Sequence, residues 1–109
     1  MIDESIKQEI ILKLSSKNPY KVILFGSHAW GTICKDSDVD LLIVLNKDGM
    51  PQSYLEKSSN YIEISNALRK INKKIPMDIV VMTKAQWKKF IEMRSGFSKE
   101  ILEKGISLL

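Results

Sequence analysis

The sequence is poor in the residues that form disulfides and zinc sites. Cys34 is its only cysteine and His28 is its only histidine. A single cysteine excludes an internal disulfide and fits a reducing cytoplasm, where thiols stay reduced. One cysteine and one histidine also fall short of the ligand set that a structural zinc ion requires. We therefore expect a cytoplasmic protein without disulfides or zinc.

Long apolar runs are missing as well. The longest strongly apolar run, Leu41 to Leu45, is far too short to span a bilayer, which needs about 20 residues. The first ten residues, MIDESIKQEI, are acidic and helical in pattern, so they do not resemble a signal peptide. A chain of 109 residues is large enough for one hydrophobic core but not for two. We predict a single domain over residues 1–109 that makes no contact with a membrane.

Charge is distributed unevenly along the chain. Residues 1–68 contain seven Lys and Arg against nine Asp and Glu, whereas residues 69–109 contain ten against four. A basic C-terminal part suits contact with nucleic acid, nucleotide phosphates or an acidic protein surface. A solvated lysine-rich face is the plainer interpretation, and the sequence leaves both open.

Apolar periodicity predicts an α/β (α+β) fold. Three continuous apolar runs predict buried strands at Tyr20 to Phe25, Val39 to Leu45 and Met77 to Met82. Helical periodicity predicts helices over about residues 3–16, 54–72, 84–94 and 98–104. The second of these helices has one apolar stripe, formed by Tyr61, Ile64, Leu68 and Ile71.

The limits of the last two predicted helices follow from their terminal residues. Thr83 and Gln86 have the spacing of a capping box, which starts the third helix. Ser95-Gly96 breaks that helix, and Gly105 suits the C′ position after the fourth. The aromatic side chains in this region are predicted to pack between helices: Trp87, Phe90 and Phe97.

Small and acidic residues lie at the ends of the predicted strands. Gly26 and Ser27 end the first strand, Asp38 and Asp40 begin the second, and Asp78 begins the third. Side chains alternate between the faces of a strand, so Asp38 and Asp40 point to one side, roughly 7 Å apart. Two such carboxylates repel each other unless a cation lies between them, and oxygen ligands suit Mg²⁺.

The Gly-Ser turn and the three aspartates can lie at one site only if the strands have certain relative directions. The first two strands must run antiparallel and the third parallel to the second, with the helix over residues 54–72 as the crossover. The result is a small mixed three- to four-stranded sheet with flanking helices. Three carboxylates can hold two Mg²⁺ ions roughly 3.5–4 Å apart beside a Gly-Ser turn that approaches phosphate. Such a site would move a nucleotidyl group from a nucleoside triphosphate to a hydroxyl.

The spacing of Gly26-Ser27, ten residues and Asp38-Val39-Asp40 resembles the GS-x10-D-x-D signature of the DNA polymerase β nucleotidyltransferase superfamily. The flanking sequences VILFGS and SDVDLLIVL, and the tail over residues 91–106, resemble its small branch, the minimal nucleotidyltransferases (MNT-type antitoxins). The resemblance implies a polymerase beta-like nucleotidyltransferase fold. It implies phosphate binding at Gly26 and Ser27, and catalytic metal ligands at Asp38, Asp40 and Asp78.

The resemblance also implies substrates and partners. It implies two Mg²⁺ ions, ATP as substrate, and transfer of AMP to a tyrosine of a cognate HEPN-domain toxin in a hetero-oligomer. The chain would then be a protein adenylyltransferase and the antitoxin of a type VII-like toxin-antitoxin pair. One alternative acceptor is RNA, for example a tRNA 3′ end. Another alternative is an antitoxin that neutralises its toxin by binding alone.

Several of these residues have plainer interpretations. Asp38 and Asp40 can cap a loop, and Asp78 can be a strand-edge residue satisfied by backbone N–H groups. Many members of the family carry Arg or Tyr where His28 stands, and His28 can either touch phosphate or form a local hydrogen bond in its loop. Trp30 can stack on a base or pack its loop onto the sheet.

Overall fold

The computed structural model describes residues 3–26, 29 and 38–109. Apolar alternation and helix caps divide these residues into five helices and four strands. In chain order they are α1 (Glu4–Ser15), β1 (Lys21–Phe25), β2 (Val39–Val44), α2 (Tyr54–Ala67), α3 (Arg69–Lys74), β3 (Met77–Met82), α4 (Lys84–Glu92), α5 (Gly96–Lys104) and β4 (Ile106–Ser107). The predicted mixed α/β fold is confirmed.

The strands form one mixed sheet in the order β3-β2-β1-β4. β1 runs antiparallel to β2, and β2 runs parallel to β3. Because parallel neighbours need a crossover connection, α2 and α3 join β2 to β3 over the sheet. These strand directions are the ones predicted from the sequence. The fourth strand, β4, pairs antiparallel with β1 and is too short, at two residues, to produce an alternating pattern.

The two faces of the sheet bury separate hydrophobic clusters, because side chains alternate along each strand. One face packs against α1, α2 and α3, where Leu14 and Ile64 are fully buried. The other face packs against α4 and α5, where Leu42 contacts the cluster of Trp87 and Ile101. Full burial of one Leu or Ile side chain stabilises the fold by about 1.5–3 kcal/mol, so both faces hold helices firmly.

Helix caps stabilise the ends of these elements. The Asp3 carboxylate accepts hydrogen bonds from the Ser5 hydroxyl and N–H, which lower the pKa of Asp3 below its usual range. The predicted capping box is confirmed at α4. The Gln86 N–H donates to Thr83 Oγ1 at 3.3 Å, and the Thr83 N–H donates to Gln86 Oε1 at 2.8 Å.

The helix predicted over residues 54–72 is interrupted at Leu68. This residue has φ −98° and ψ 5°, and it separates α2 from α3. The break keeps Leu68 and Ile71 fully buried, so the apolar stripe continues across it and periodicity cannot reveal it. Tyr61 was wrongly predicted to share that stripe in the core, since 46% of it is exposed.

The predicted break after α4 and the predicted end of α5 are both found, with one difference at each. Residues 93–95 separate α4 from α5, but Gly96 is the first residue of α5, whose N-terminus the Ser95 side chain caps by accepting from the Ser98 N–H. α5 ends at Lys104, directly before Gly105, but Gly105 has φ −67° and is not a left-handed C′ residue. A Cβ at Gly105 would overlap the Ile101 carbonyl oxygen and lie 2.6 Å from Ile23 Cγ2. Glycine is needed there because α5 ends against β1.

The prediction that β3 is a buried strand holds only at Ile79. β3 is an edge strand of the sheet, and its other five residues are half-buried or exposed. The sequence could not distinguish the edge because the apolar run of β3 resembles that of the central β2. No helix formed by the described residues is long and apolar enough to cross a membrane.

Candidate active site

Three strand ends meet where the acidic residues lie. In the sheet register Asp40 is opposite Phe25 at the end of β1 and beside Asp78 at the start of β3. Neighbouring strands are about 4.8 Å apart, and residues in register point to the same face. The carboxylates of Asp40 and Asp78 therefore extend from adjacent backbone positions. Asp38 directly precedes β2 and is exposed, as is Asp78, while Asp40 is half-buried.

Gly26 directly follows β1 and touches the Asp40 side chain. Its φ is +76°, in the left-handed region that L side chains rarely adopt. A Cβ at Gly26 would overlap Asp40 Oδ2 and would lie 3.1 Å from Asp40 Cγ. Both the backbone and the available space therefore require glycine. The Gly26 carbonyl accepts from the N–H of Ala29 at 3.1 Å, and the buried Ala29 holds this turn against the core.

The two strands that carry the aspartates are held at their first residues. The Val39 N–H donates to the Pro76 carbonyl at 2.9 Å, which joins the start of β2 to the residue before β3. The Met77 N–H donates to Asn72 Oδ1 at 2.9 Å. Sequence reasoning missed Asn72, because a polar residue near the end of a helix has no distinctive pattern.

An aromatic cluster borders the carboxylates on the face that packs against α4 and α5. The Phe25 and Phe97 rings are 5.5 Å apart and edge to face, and Phe97 contacts Phe90 in the same way at 5.5 Å. The predicted packing role of Phe90 and Phe97 is confirmed. Sequence reasoning missed Phe25, although its position immediately before Gly26 was an available signal. Phe25 supplies an apolar wall beside Asp40.

The other residues for which the sequence suggests a candidate role are not among the described residues. Ser27, His28, Trp30 and Cys34 lie outside the described residues. Within residues 3–26, 29 and 38–109, no three His, Cys, Asp or Glu side chains are grouped so as to hold a metal ion. The three-carboxylate ligand set and the phosphate contacts at Gly26 and Ser27 therefore stay predictions.

The residues present nonetheless suit a hard cation. Asp40 and Asp78 offer only carboxylate oxygens, the ligands that Mg²⁺ prefers, and Asp38 adds a third carboxylate nearby on the chain. Gly26 has no side chain, so it places no Cβ against the Asp40 carboxylate. Two adjacent carboxylates beside such a turn are suited to holding a cation against a phosphate group.

The sequence also matches a known protein family over most of its length. Residues 8–109 match the model of the family described as Polymerase beta, Nucleotidyltransferase. This range includes Gly26 and all three predicted aspartates. No curated protein matches the chain in sequence.

Two solved structures are similar to this chain in fold. The first is a crystal structure of a toxin-antitoxin with AMP-PNP, with a TM-score of 0.57 and 16% identity. The second is a crystal structure of a mutant of the toxin-antitoxin MntA-HpeT, with a TM-score of 0.54 and 14% identity. Each alignment covers 94% of this chain and 72% of the other. At these identities the similarity concerns the fold alone.

Proposed function

Because the chain belongs to the polymerase beta nucleotidyltransferase family, we propose that it transfers AMP from ATP to a hydroxyl group of a partner protein. The proposed acceptor is a tyrosine of a small helical HEPN toxin, bound in a hetero-oligomer. The chain would act as the antitoxin of a type VII-like pair in the cytoplasm. Residues 1–109 would form one minimal nucleotidyltransferase domain.

The observation that carries this proposal is the register of β2 and β3. It makes Asp40 and Asp78 neighbours on one face, with Gly26 against the Asp40 carboxylate. Residues that are 38 positions apart along the chain thus contribute to one acidic site. A structural surface has no need for two adjacent carboxylates, because like charges at this distance repel each other.

In the proposed reaction the aspartates hold the metal ions and the glycine-serine turn binds the phosphates. Two Mg²⁺ ions, when bound, would lower the pKa of the attacking hydroxyl and neutralise charge on the leaving pyrophosphate. Asp40, Asp78 and Asp38 would hold them, and Gly26 and Ser27 would bind the phosphates. The acceptor oxygen bonds to the α-phosphorus of ATP as the bond from that phosphorus to pyrophosphate breaks. Asp78, exposed on the edge strand, receives the proton of the hydroxyl.

The two similar structures support a toxin as the partner. Both are toxin-antitoxin structures, and one of them contains AMP-PNP, an ATP analogue. The basic composition of residues 69–109 favours a second candidate, transfer to RNA, because lysine and arginine bind its phosphates. The two candidates share the nucleotidyl donor and differ only in the acceptor.

The test incubates the chain with α-labelled ATP, Mg²⁺ and either a helical HEPN partner or tRNA. Mass spectrometry should find AMP added to a partner tyrosine. Asp40→Asn should reduce the rate by at least about 100-fold, because it removes a charge that holds the metal ions. The matched control is Asp48→Asn, since Asp48 is an exposed aspartate whose side chain is 95% accessible in a loop. It should transfer AMP at the wild-type rate.

Thermal unfolding should show that Asp40→Asn folds normally, because asparagine keeps the size of the side chain and one acceptor oxygen while the repulsion from Asp78 is relieved. A mutant that retains more than about a tenth of the rate would remove Asp40 from the metal site. If tRNA is labelled and the partner protein stays unmodified, the acceptor is RNA and not a protein. A partner that is inhibited without any label would favour an antitoxin that acts by binding alone.

A further inference from the structure

The outer edge of β3 presents backbone groups that no described strand uses. The carbonyls of Pro76 and Met82 accept hydrogen bonds from N–H groups of the β2 segment, at 2.9 and 2.8 Å. In a parallel pair every second residue faces the same neighbour. The even-numbered residues of β3 therefore bond to β2, whereas the N–H and C=O groups of Ile79 and Val81 point away from the sheet.

The start of this edge is already closed. Met77 also faces outward, and its N–H donates to Asn72 Oδ1 at 2.9 Å. A strand that added to β3 would therefore find its first free donor at Ile79. The geometry leaves a short edge, centred on Ile79 and Val81, at which another strand can pair.

Two grooves flank this edge, one on each face of the sheet. The groove beside α2 has a volume of about 550 Å³ and is lined by β3 together with Tyr54, Tyr61 and Ile62. The groove beside α4 has a volume of about 300 Å³ and is lined by β3 together with Phe90 and Met93. Tyr54 is 82% exposed and Met93 is 64% exposed, so large apolar side chains rise beside the edge. An added strand would alternate its own side chains between these grooves.

The charged side chains that line the two grooves are positive. Lys57 lines both grooves, Lys89 lines the groove beside α4, and Lys88 lies next to it on the same helix. Within the described part of the chain, none of these three lysines forms an ion pair. A second copy of the chain would bring the same lysines to the edge and would be repelled. An acidic strand would be attracted.

We propose that the outer edge of β3 binds an extended, acidic segment of a protein partner, which adds a strand to the sheet. Backbone hydrogen bonds to Ile79 and Val81 provide affinity. Apolar side chains of the segment enter the two grooves, and its acidic residues meet Lys57 and Lys89. This is recognition by strand addition, in which the ladder gives affinity and the side-chain pockets give specificity. Binding of this kind requires no nucleotide transfer.

The test uses two labelled peptides in the absence of ATP and Mg²⁺. Both have an alternating Val-Thr sequence, and one is flanked by glutamates whereas the other is flanked by lysines. Fluorescence anisotropy should show that the glutamate peptide binds. The lysine peptide should bind at least about fivefold more weakly than the glutamate peptide. Hydrogen exchange should show that the glutamate peptide protects the amides of Ile79 and Val81. The amides of Asp78 and Val80, which already face β2, should not change.

Two sets of variants test the contacts. Val81→Pro removes an outward N–H while leaving the β2 ladder intact, so it should weaken binding by about tenfold or more. The charge reversal Lys57→Glu with Lys89→Glu should make the chain prefer the lysine peptide. Its matched control reverses two exposed lysines on other helices, Lys70→Glu with Lys99→Glu, and should keep the wild-type preference.

Three results would overturn the proposal. The first is equal binding, or no binding, of the two peptides to the wild-type chain. The second is peptide binding without protection of the Ile79 and Val81 amides. The third is protection of these amides by self-association of the chain alone, which would make a second copy the occupant. Because no nucleotide is present, a failure here leaves the proposed transfer reaction standing, and a failure of transfer leaves this surface standing.

Discussion

Replacing Gly26 by alanine tests the link between the turn after β1 and the carboxylate of Asp40. The new Cβ has two unfavourable effects, which are backbone strain and steric overlap with Asp40. The φ of +76° is unfavourable for any L side chain, and Asp40 Oδ2 occupies the space that the methyl group needs. The backbone strain acts on the free energy of unfolding alone. The steric overlap acts on both the free energy of unfolding and the position of the carboxylate.

Gly49 separates these two effects because it has the first without the second. Its φ is +80°, and no atom lies within 4 Å of the position of an added Cβ. A left-handed conformation costs a non-glycine residue about 1–2 kcal/mol. We expect Gly49→Ala to lower the free energy of unfolding by about this amount and to leave transfer unchanged.

Gly26→Ala should lower the free energy of unfolding further. Pushing the Asp40 side chain out of its rotamer costs about a further 0.5–1.5 kcal/mol, in addition to the cost of the left-handed backbone. A carboxylate displaced by about 1 Å should also reduce the rate of AMP transfer by roughly 100-fold. The activity loss at Gly26 should therefore far exceed the loss at Gly49, although both glycines have a similar left-handed φ.

Urea unfolding of a double-mutant cycle measures the contact itself. Asp40→Ala removes the Oδ2 and Cγ atoms and leaves only Cβ, which would lie 3.4 Å from the new methyl group, an ordinary contact. In that background Gly26→Ala should be no more destabilising than Gly49→Ala. If the cycle shows no coupling between Gly26 and Asp40, or if Gly26→Ala retains full transfer, the carboxylate does not depend on this turn.

Two further predictions concern single hydrogen bonds. Ser27→Ala should reduce kcat/KM for ATP by about ten- to 100-fold, since a hydrogen bond to a charged phosphate contributes roughly 1.5–3 kcal/mol; an unchanged value would mean that the hydroxyl does not bind phosphate. Thr83→Ala should lower the free energy of unfolding by about 1 kcal/mol, because it removes the oxygen that caps α4, while AMP transfer per folded molecule stays constant. Calorimetry that showed no loss of stability would contradict the capping role.

Local patterns in the sequence determined much of this protein. The apolar runs predicted β1, β2 and β3 to within a residue, and the Thr83 to Gln86 spacing predicted the capping box. The requirement that Gly26, Asp40 and Asp78 meet also predicted that β2 is antiparallel to β1 and parallel to β3. The strands and the capping box follow from the sequence because side-chain alternation and helix capping involve residues close together in the chain. The strand directions follow because the residues of one predicted site must lie together.

Tertiary structure alone decided the features that depend on which elements become neighbours. The edge position of β3 depends on the order of strands in the sheet, and its apolar run looks the same as that of the central β2. The break at Leu68, the contact of Phe25 with Phe97 and the need for glycine at residue 105 depend on how the helices pack on the sheet. Each of these is a contact between segments distant in sequence, or a response to one, and no local pattern of residues encodes the neighbour that a segment will meet.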